Sequence, residues 1–203
     1  MLLERIYPYF LTIFGFITFW WWIVVSIHSF LAPYAPINAD VLVVEGWMND
    51  PALEVAKREF ESHDYQKLIT TGTPVPRGYY LLEYKNFAAI AGATLQVLGV
   101  KEEEIVVVPS QKVIRDRTEA MAIALREWLL TNNPEIKSIN LCSFDVHTRR
   151  SWLIYQRVLS PDIKVGIIAI PSTEYDYRRW WNSSVGVKSV IEEVIAYFYT
   201  KFT

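Results

Sequence analysis

Two patterns divide the chain. Residues 9–32 are apolar and carry no Asp, Glu, Lys or Arg. From residue 40 onward, short apolar runs alternate with stretches of helical spacing. About 20 consecutive apolar residues cross a bilayer core, so the first segment predicts a transmembrane helix. A cleaved signal peptide needs a shorter apolar core and small residues before the cut. Here Pro33 and Pro36 crowd the one candidate site, near Ala35, and an uncleaved signal anchor fits better. Arg5 precedes the span and the first basic residue after it is Lys57. The positive-inside rule then puts the N-terminus in the cytoplasm and the domain outside, in the inner or plasma membrane. His28 is expected near the far interface, with no catalytic task.

The organisation that follows is a tail at 1–8, the anchor at 9–32, a linker at 33–39 stiffened by Pro33 and Pro36, and a domain over 40–203. Within the domain, Asp40–Glu45, Lys67–Thr71, Glu104–Pro109, residues 138–142 and Lys164–Ile170 read as buried strands. Between them the periodicity predicts helices over 50–62, with Asp50 as N-cap and Pro51 at the first position, and over 83–98, 117–131 and about 146–158. A last helix covers about 185–200. Strict alternation implies right-handed βαβ units. The expected fold is α/β, a Rossmann-like three-layer sandwich with a mostly parallel five-stranded sheet behind one transmembrane helix.

Composition narrows the function. A net charge of −2 and a pI near 6.0 argue against nucleic-acid binding. The single cysteine, Cys142, excludes an internal disulfide and a Cys-rich metal site, and three scattered histidines point to no metal. Neither a Walker pattern nor GxGxxG is present, so an ordinary nucleotide loop is not indicated.

Parallel strands bring their C-terminal loops to one rim, where open α/β sheets bind ligands. The first two loops supply Glu45, Gly46 and Trp47, then Gly72. The third supplies Arg115, Asp116, Arg117, Thr118 and Glu119; the fourth, Ser143, Asp145, His147, Arg149 and Arg150. A fifth, residues 171–181, carries Tyr175, Arg178, Arg179, Trp180 and Trp181. Structural readings stand beside the functional ones. Asp116 with Glu119 could form a capping box, Asp145 an N-cap, and Arg149 with Arg150 a solvated face. Glu45 closes an apolar strand and should meet an arginine, because buried carboxylates are rarely unpaired. Arginine forks match phosphate and carboxylate, so four or five cations on one rim suggest an anionic ligand. His147 and Glu45 are the candidate acid–base groups; the other loop residues from Gly46 to Arg150 are candidate ligand contacts.

The order of segments resembles the SanA/ElyC/YdcF family over roughly residues 38–200. The likeness is carried by Asp40–Val44, by Arg115–Ala120 against a Ser/Thr-x-Asn-Thr-x-Glu-like turn, and by Ser143–Arg150 against a Thr-Ser-x-x-His-x-x-Arg-like motif. The resemblance implies a membrane-anchored Rossmann-like domain linked to envelope barrier function and lipid-carrier-dependent polysaccharide assembly. It carries over Thr118, Glu119, Ser143, His147 and Arg150. Glu45-Gly46-Trp47 stands where the family has Gly-Gly, and Thr71-Gly72-Thr73 where it has Ser-Gly-Gly, so no particular ligand or cofactor is implied.

Three functions stay open: an envelope protein binding or acting on an anionic, phosphate-bearing and lipid-linked precursor; a non-catalytic scaffold recruiting membrane proteins through Trp20, Trp21 and Trp22; and a cytoplasm-facing nucleotide or S-adenosylmethionine binder. A reporter fused after Thr203 separates the last from the first. An extracytoplasmic signal is expected, and activity in the cytoplasm excludes the envelope reading.

Overall fold

The structure, a computed structural model, describes residues 2–203, with side chains from residue 11 onward. The chain builds a mixed α/β fold around a six-stranded sheet rather than the expected five. In chain order the strands are β1 (Tyr34–Ala35), β2 (Val41–Glu45), β3 (Lys67–Gly72), β4 (Ile105–Pro109), β5 (Ser138–Phe144) and β6 (Lys164–Ile170). Their spatial order is β1-β6-β5-β2-β3-β4. All neighbours are parallel except β1, which runs antiparallel to β6.

The sixth strand comes from the segment expected to be only a linker. Its next residues are held by a side chain acting as a strand edge: Asn140 accepts from the Ile37 amide at 2.9 Å and donates to the Ile37 carbonyl at 2.8 Å. Gly166 lies against the same place because a Cβ there would sit 2.1 Å from the Asn140 side-chain oxygen.

The helices are α1 (Leu2–Leu31), α2 (Asp50–Glu61), α3 (Phe87–Val97), α4 (Arg117–Asn132), α5 (Thr148–Leu159) and α6 (Ser184–Phe202). Two starts differ from expectation, each by an asparagine. Asn49, not Asp50, caps α2 by accepting from the Ala52 amide at 3.1 Å. Asn86 caps α3 through the Ala89 amide at 2.8 Å, so that helix begins at 87 rather than 83. Both side chains satisfy amides that the first helical turn leaves unpaired.

Residues of β2 alternate between two cores, as the two-residue strand period requires. Val41 and Val43 pack with Met121, Leu125 and Leu129 of α4 and with Tyr155 and Leu159 of α5. Leu42 and Val44 pack with Leu53 and Ala56 of α2 and with Leu95 of α3. The continuously apolar strand is the consequence of burial on both faces.

The predicted boundaries at the N-terminus change most. Residues 2–8, expected as a tail, belong to α1. Residues 11–31 are long and apolar enough to cross a membrane, and only 6% of the most apolar window is buried. Its last turns are not free, however. Leu31 forms a third cluster with Val146, Trp180 and Val190, joined by Val24 and Ile27. The Trp180 indole donates to the Val24 carbonyl at 3.0 Å.

Replacing Asn140 by Ala removes both bonds to Ile37 and leaves partly buried backbone groups unpaired. A loss of about 2 kcal/mol of stability is expected, at about 1 kcal/mol per bond, and is measured as a lowered unfolding midpoint.

Candidate functional site

In the strand order the chain turns back across the sheet after β4, so the ends of β2 and β5 form the crevice where direction reverses. Open α/β sheets bind ligands at such a point. A cavity of about 700 Å³ lies there. Its wall includes Trp47, Arg115, Asp116, Arg117, Thr118, Asp145, His147 and Arg150, all named from the sequence, together with Tyr175, Glu192 and Glu193.

His147 ends a short 3-10 turn, Asp145–His147, between β5 and α5. Its Nδ1 lies 2.8 Å from Glu193 Oε1. Arg150 grips the same carboxylate through Nε at 2.9 Å and a terminal nitrogen at 3.0 Å. Burial pushes the Glu193 pKa up, but the hydrogen bonds and charges of His147 and Arg150 outweigh it and hold the group at about 2. Glu193 is therefore ionised, and so short an approach needs a proton on Nδ1. Nδ1–H then donates to Glu193, and the nearby Arg150 nitrogen, 2.9 Å from Nδ1, also serves the carboxylate. The opposite nitrogen, Nε2, is buried and has no hydrogen-bond partner among the described residues. Trp47 meets the imidazole edge-on, with ring centres 5.0 Å apart. A carboxylate that orients one ring nitrogen and leaves the other for proton transfer is the arrangement of a general base.

Asp145 has a different task from capping. It sits at φ +49, in the left-handed region, and caps nothing. His28 Nε2–H donates to its Oδ1 at 3.0 Å, and the Tyr175 hydroxyl donates to Oδ2. The side chains of His28 and Asp145 are 6% and 4% exposed. Burial and the Asp145 carboxylate push the Tyr175 hydroxyl well above its ordinary range, which keeps it a donor. His28 is thus buried inside the protein and bonded to a residue of the cavity wall.

Several other expectations change. Glu45 meets no arginine: Ser143 donates to its Oε2 at 2.6 Å and Ser151 to its Oε1 at 2.9 Å. Fully buried, with Ser143 equally so, it lies outside the cavity lining and helps keep Arg150 charged through the field of its carboxylate. Arg149 also leaves the site. Its guanidinium donates to the Phe30 carbonyl and stacks 4.2 Å from that ring, so it grips α1 instead of an anion. Gly46 and Gly72 are close-packing glycines, whose Cβ atoms would lie 2.5 Å from the Phe87 carbonyl and 2.2 Å from the Ala88 amide. Asp116, at φ +55, makes no capping hydrogen bond, and the capping box with Glu119 does not form. Glu119 is exposed and lies off the cavity, whereas Thr118 is buried in its wall.

The charge balance differs as well. Three arginines and His147 face five carboxylates, Asp116, Asp145, Glu174, Glu192 and Glu193. Arg150 is committed to Glu193, which leaves the exposed Arg115 and Arg117 as the cations available to a ligand. Sequence reasoning missed Glu193, 46 residues from its histidine, and gave no role to Tyr175. The one cue was a Glu192-Glu193 pair in an otherwise apolar stretch of α6.

The depressed Glu193 pKa predicts an acid-sensitive region. The stabilisation it contributes is complete above its unfolded value of 4.5 and is lost as pH falls toward about 2. Unfolding midpoints measured between pH 5 and 2 should fall more steeply for the native chain than for Glu193→Gln. No protein-family model matches the chain, and no curated protein matches it in sequence.

Proposed function

We propose that the chain is a single-pass membrane protein whose Rossmann-like three-layer domain, of the SanA/ElyC/YdcF type, binds or acts on an anionic, phosphate-bearing ligand in cell-envelope biogenesis or barrier maintenance, a lipid-linked glycan precursor being the favoured class. The observation that carries the reading is the Glu193–His147 pair in a 700 Å³ cavity at the sheet's reversal point, beside two uncommitted arginines.

In this reading Arg115 and Arg117 hold the anionic group at the mouth, where their forks bind phosphate oxygens in pairs. Nε2 is buried in this state, so ligand entry must part the side chains around it; His147 Nε2 then takes a proton from a hydroxyl nucleophile of the ligand or a water carried with it, and Glu193 steadies the imidazolium that results. Trp47 covers the ring and excludes water. Arg150 keeps Glu193 ionised and in place, so it acts through the histidine.

An uncleaved α1 is supported by its packing. Removal of the helix would expose Trp180 and Val190 and leave Asp145 without His28. The orientation, N-terminus inside, rests on Arg5 and on the lack of basic residues between the span and Lys57.

Titration of the detergent-solubilised full chain with pyrophosphate tests the reading. The double variant Arg115→Ala/Arg117→Ala is expected to weaken binding at least tenfold. His147→Gln should keep affinity within a few-fold and lower any phosphoester turnover by roughly 10²–10⁴, the usual contribution of a general base. Equal pyrophosphate binding by the native chain and the double variant would exclude the proposed anion site.

A further inference from the structure

The three consecutive tryptophans of α1 have no place in the middle of a bilayer, where the sequence alone would put them. The tertiary structure moves the membrane boundary. Every described residue of α1 from 11 to 22 is exposed, and cover by the domain begins at Ile23. From residue 6, just after Arg5, to residue 22 the helix carries no charged side chain and is roughly 25 Å long at 1.5 Å per residue. That is enough to cross most of a hydrocarbon core of about 30 Å, with Arg5 at its inner face. Trp20, Trp21 and Trp22 then fall at its outer end, the position that interfacial tryptophans favour.

The domain element beside that point is the 3-10 turn Tyr177–Asn182. Trp181 meets Trp21 with ring centres 5.5 Å apart. Trp180 is anchored inward through the Val24 carbonyl, which holds the turn against the helix as it leaves the domain. What the turn presents outward is an aromatic–basic surface: Tyr177 is 46% exposed, and Arg178 and Arg179 are exposed. Neither arginine side chain forms an ion pair among the described residues, although Asp176 lies close by in sequence. Trp20 and Trp22 remain 50% and 64% exposed on the adjoining helix surface.

We infer that the Tyr177–Asn182 turn is a bilayer-docking surface, seated in the headgroup layer with Arg178 and Arg179 against anionic phospholipid and with Trp20–Trp22 and Trp181 forming one continuous interfacial belt. The occupant is a lipid surface because the turn is continuous with a helix whose exposed part is apolar all round, and because its charge is basic next to aromatic rings. Arginine forks bind lipid phosphates, and aromatic rings settle at headgroup depth. The surface fixes how deep the domain rides. Tyr175 of the cavity wall lies two residues before the turn, so the cavity mouth is carried to the headgroup layer. The inference rests on the reading of α1 as a membrane span and is independent of the chemistry assigned to His147.

Site-directed spin labelling of the full chain in lipid nanodiscs tests it. The native Cys142 is fully buried and does not compete for label. Labels are placed by Phe16→Cys on the exposed helix, by Asn182→Cys on the turn, and by Lys101→Cys at the opposite end of the sheet. Collision with oxygen and with a water-soluble nickel chelate gives the depth of each. In discs containing phosphatidylglycerol, position 16 should report the hydrocarbon core, 182 the headgroup layer and 101 bulk water. Arg178→Glu/Arg179→Glu should raise nickel access at 182 severalfold and leave 16 unchanged. Nickel access at 182 equal to that at 101, with 16 still in the core, overturns the docking surface alone. Water exposure at 16 overturns the span itself. A label at 182 shielded from both reagents means a protein partner covers the turn, and that too overturns the proposal.

Discussion

The hydrogen bond from His28 to Asp145 joins the three parts on which the molecule depends. His28 comes from the apolar helix, Asp145 from the end of the central strand β5, and Tyr175, the second donor to that carboxylate, from the loop after β6. A carboxylate at 4% exposure is costly unless its oxygens are bonded. The helix therefore cannot be a tether that merely holds the domain near a membrane. It supplies a partner without which the cavity wall would contain a buried carboxyl oxygen, Asp145 Oδ1, with no hydrogen bond. Arg149, held by Phe30, and Trp180, held by Val24, fasten the same three turns from either side.

Buried Glu45 and partly buried Glu193 follow the same rule with different partners, and the partner decides the role. Glu45 receives two serine hydroxyls and becomes a sealed support beneath the site. Glu193 receives a histidine and an arginine, remains ionised, and orients an imidazole whose other nitrogen is unoccupied. Asp145 receives a histidine and a tyrosine and locks a helix to a sheet. Identical chemistry at the carboxylate thus yields a structural support, an orienting group and a joint.

Much of the fold was legible along the chain. The five parallel strands lie within two residues of where apolar runs put them, because burial on both faces demands such runs. Polar strand-to-helix loops likewise meet at one rim, and six of the candidate ligand contacts line the cavity there: Arg115, Asp116, Arg117, Thr118, Asp145 and Arg150. The errors share one cause. Glu45, Gly46, Gly72, Glu119, Ser143 and Arg149 were placed by proximity to strand ends, whereas side-chain direction and, for most of them, the approach of Phe87, Ser151 and Phe30 decide what each one touches.

By itself, then, the sequence determined that an apolar helix precedes an α/β domain and that polar chemistry gathers at one edge of its sheet. Those properties follow from local periodicity, which each segment carries alone. Only the tertiary structure decided that Glu193 serves His147 across 46 residues, that His28 serves Asp145 across 117, and that the helix leaves the domain beside its own tryptophans. Such pairings have no local signature, since each is set by how α1 and α6 pack beside the end of β5. Once packing removes water from a charge, the nearest partner that can hydrogen-bond to it fixes its function.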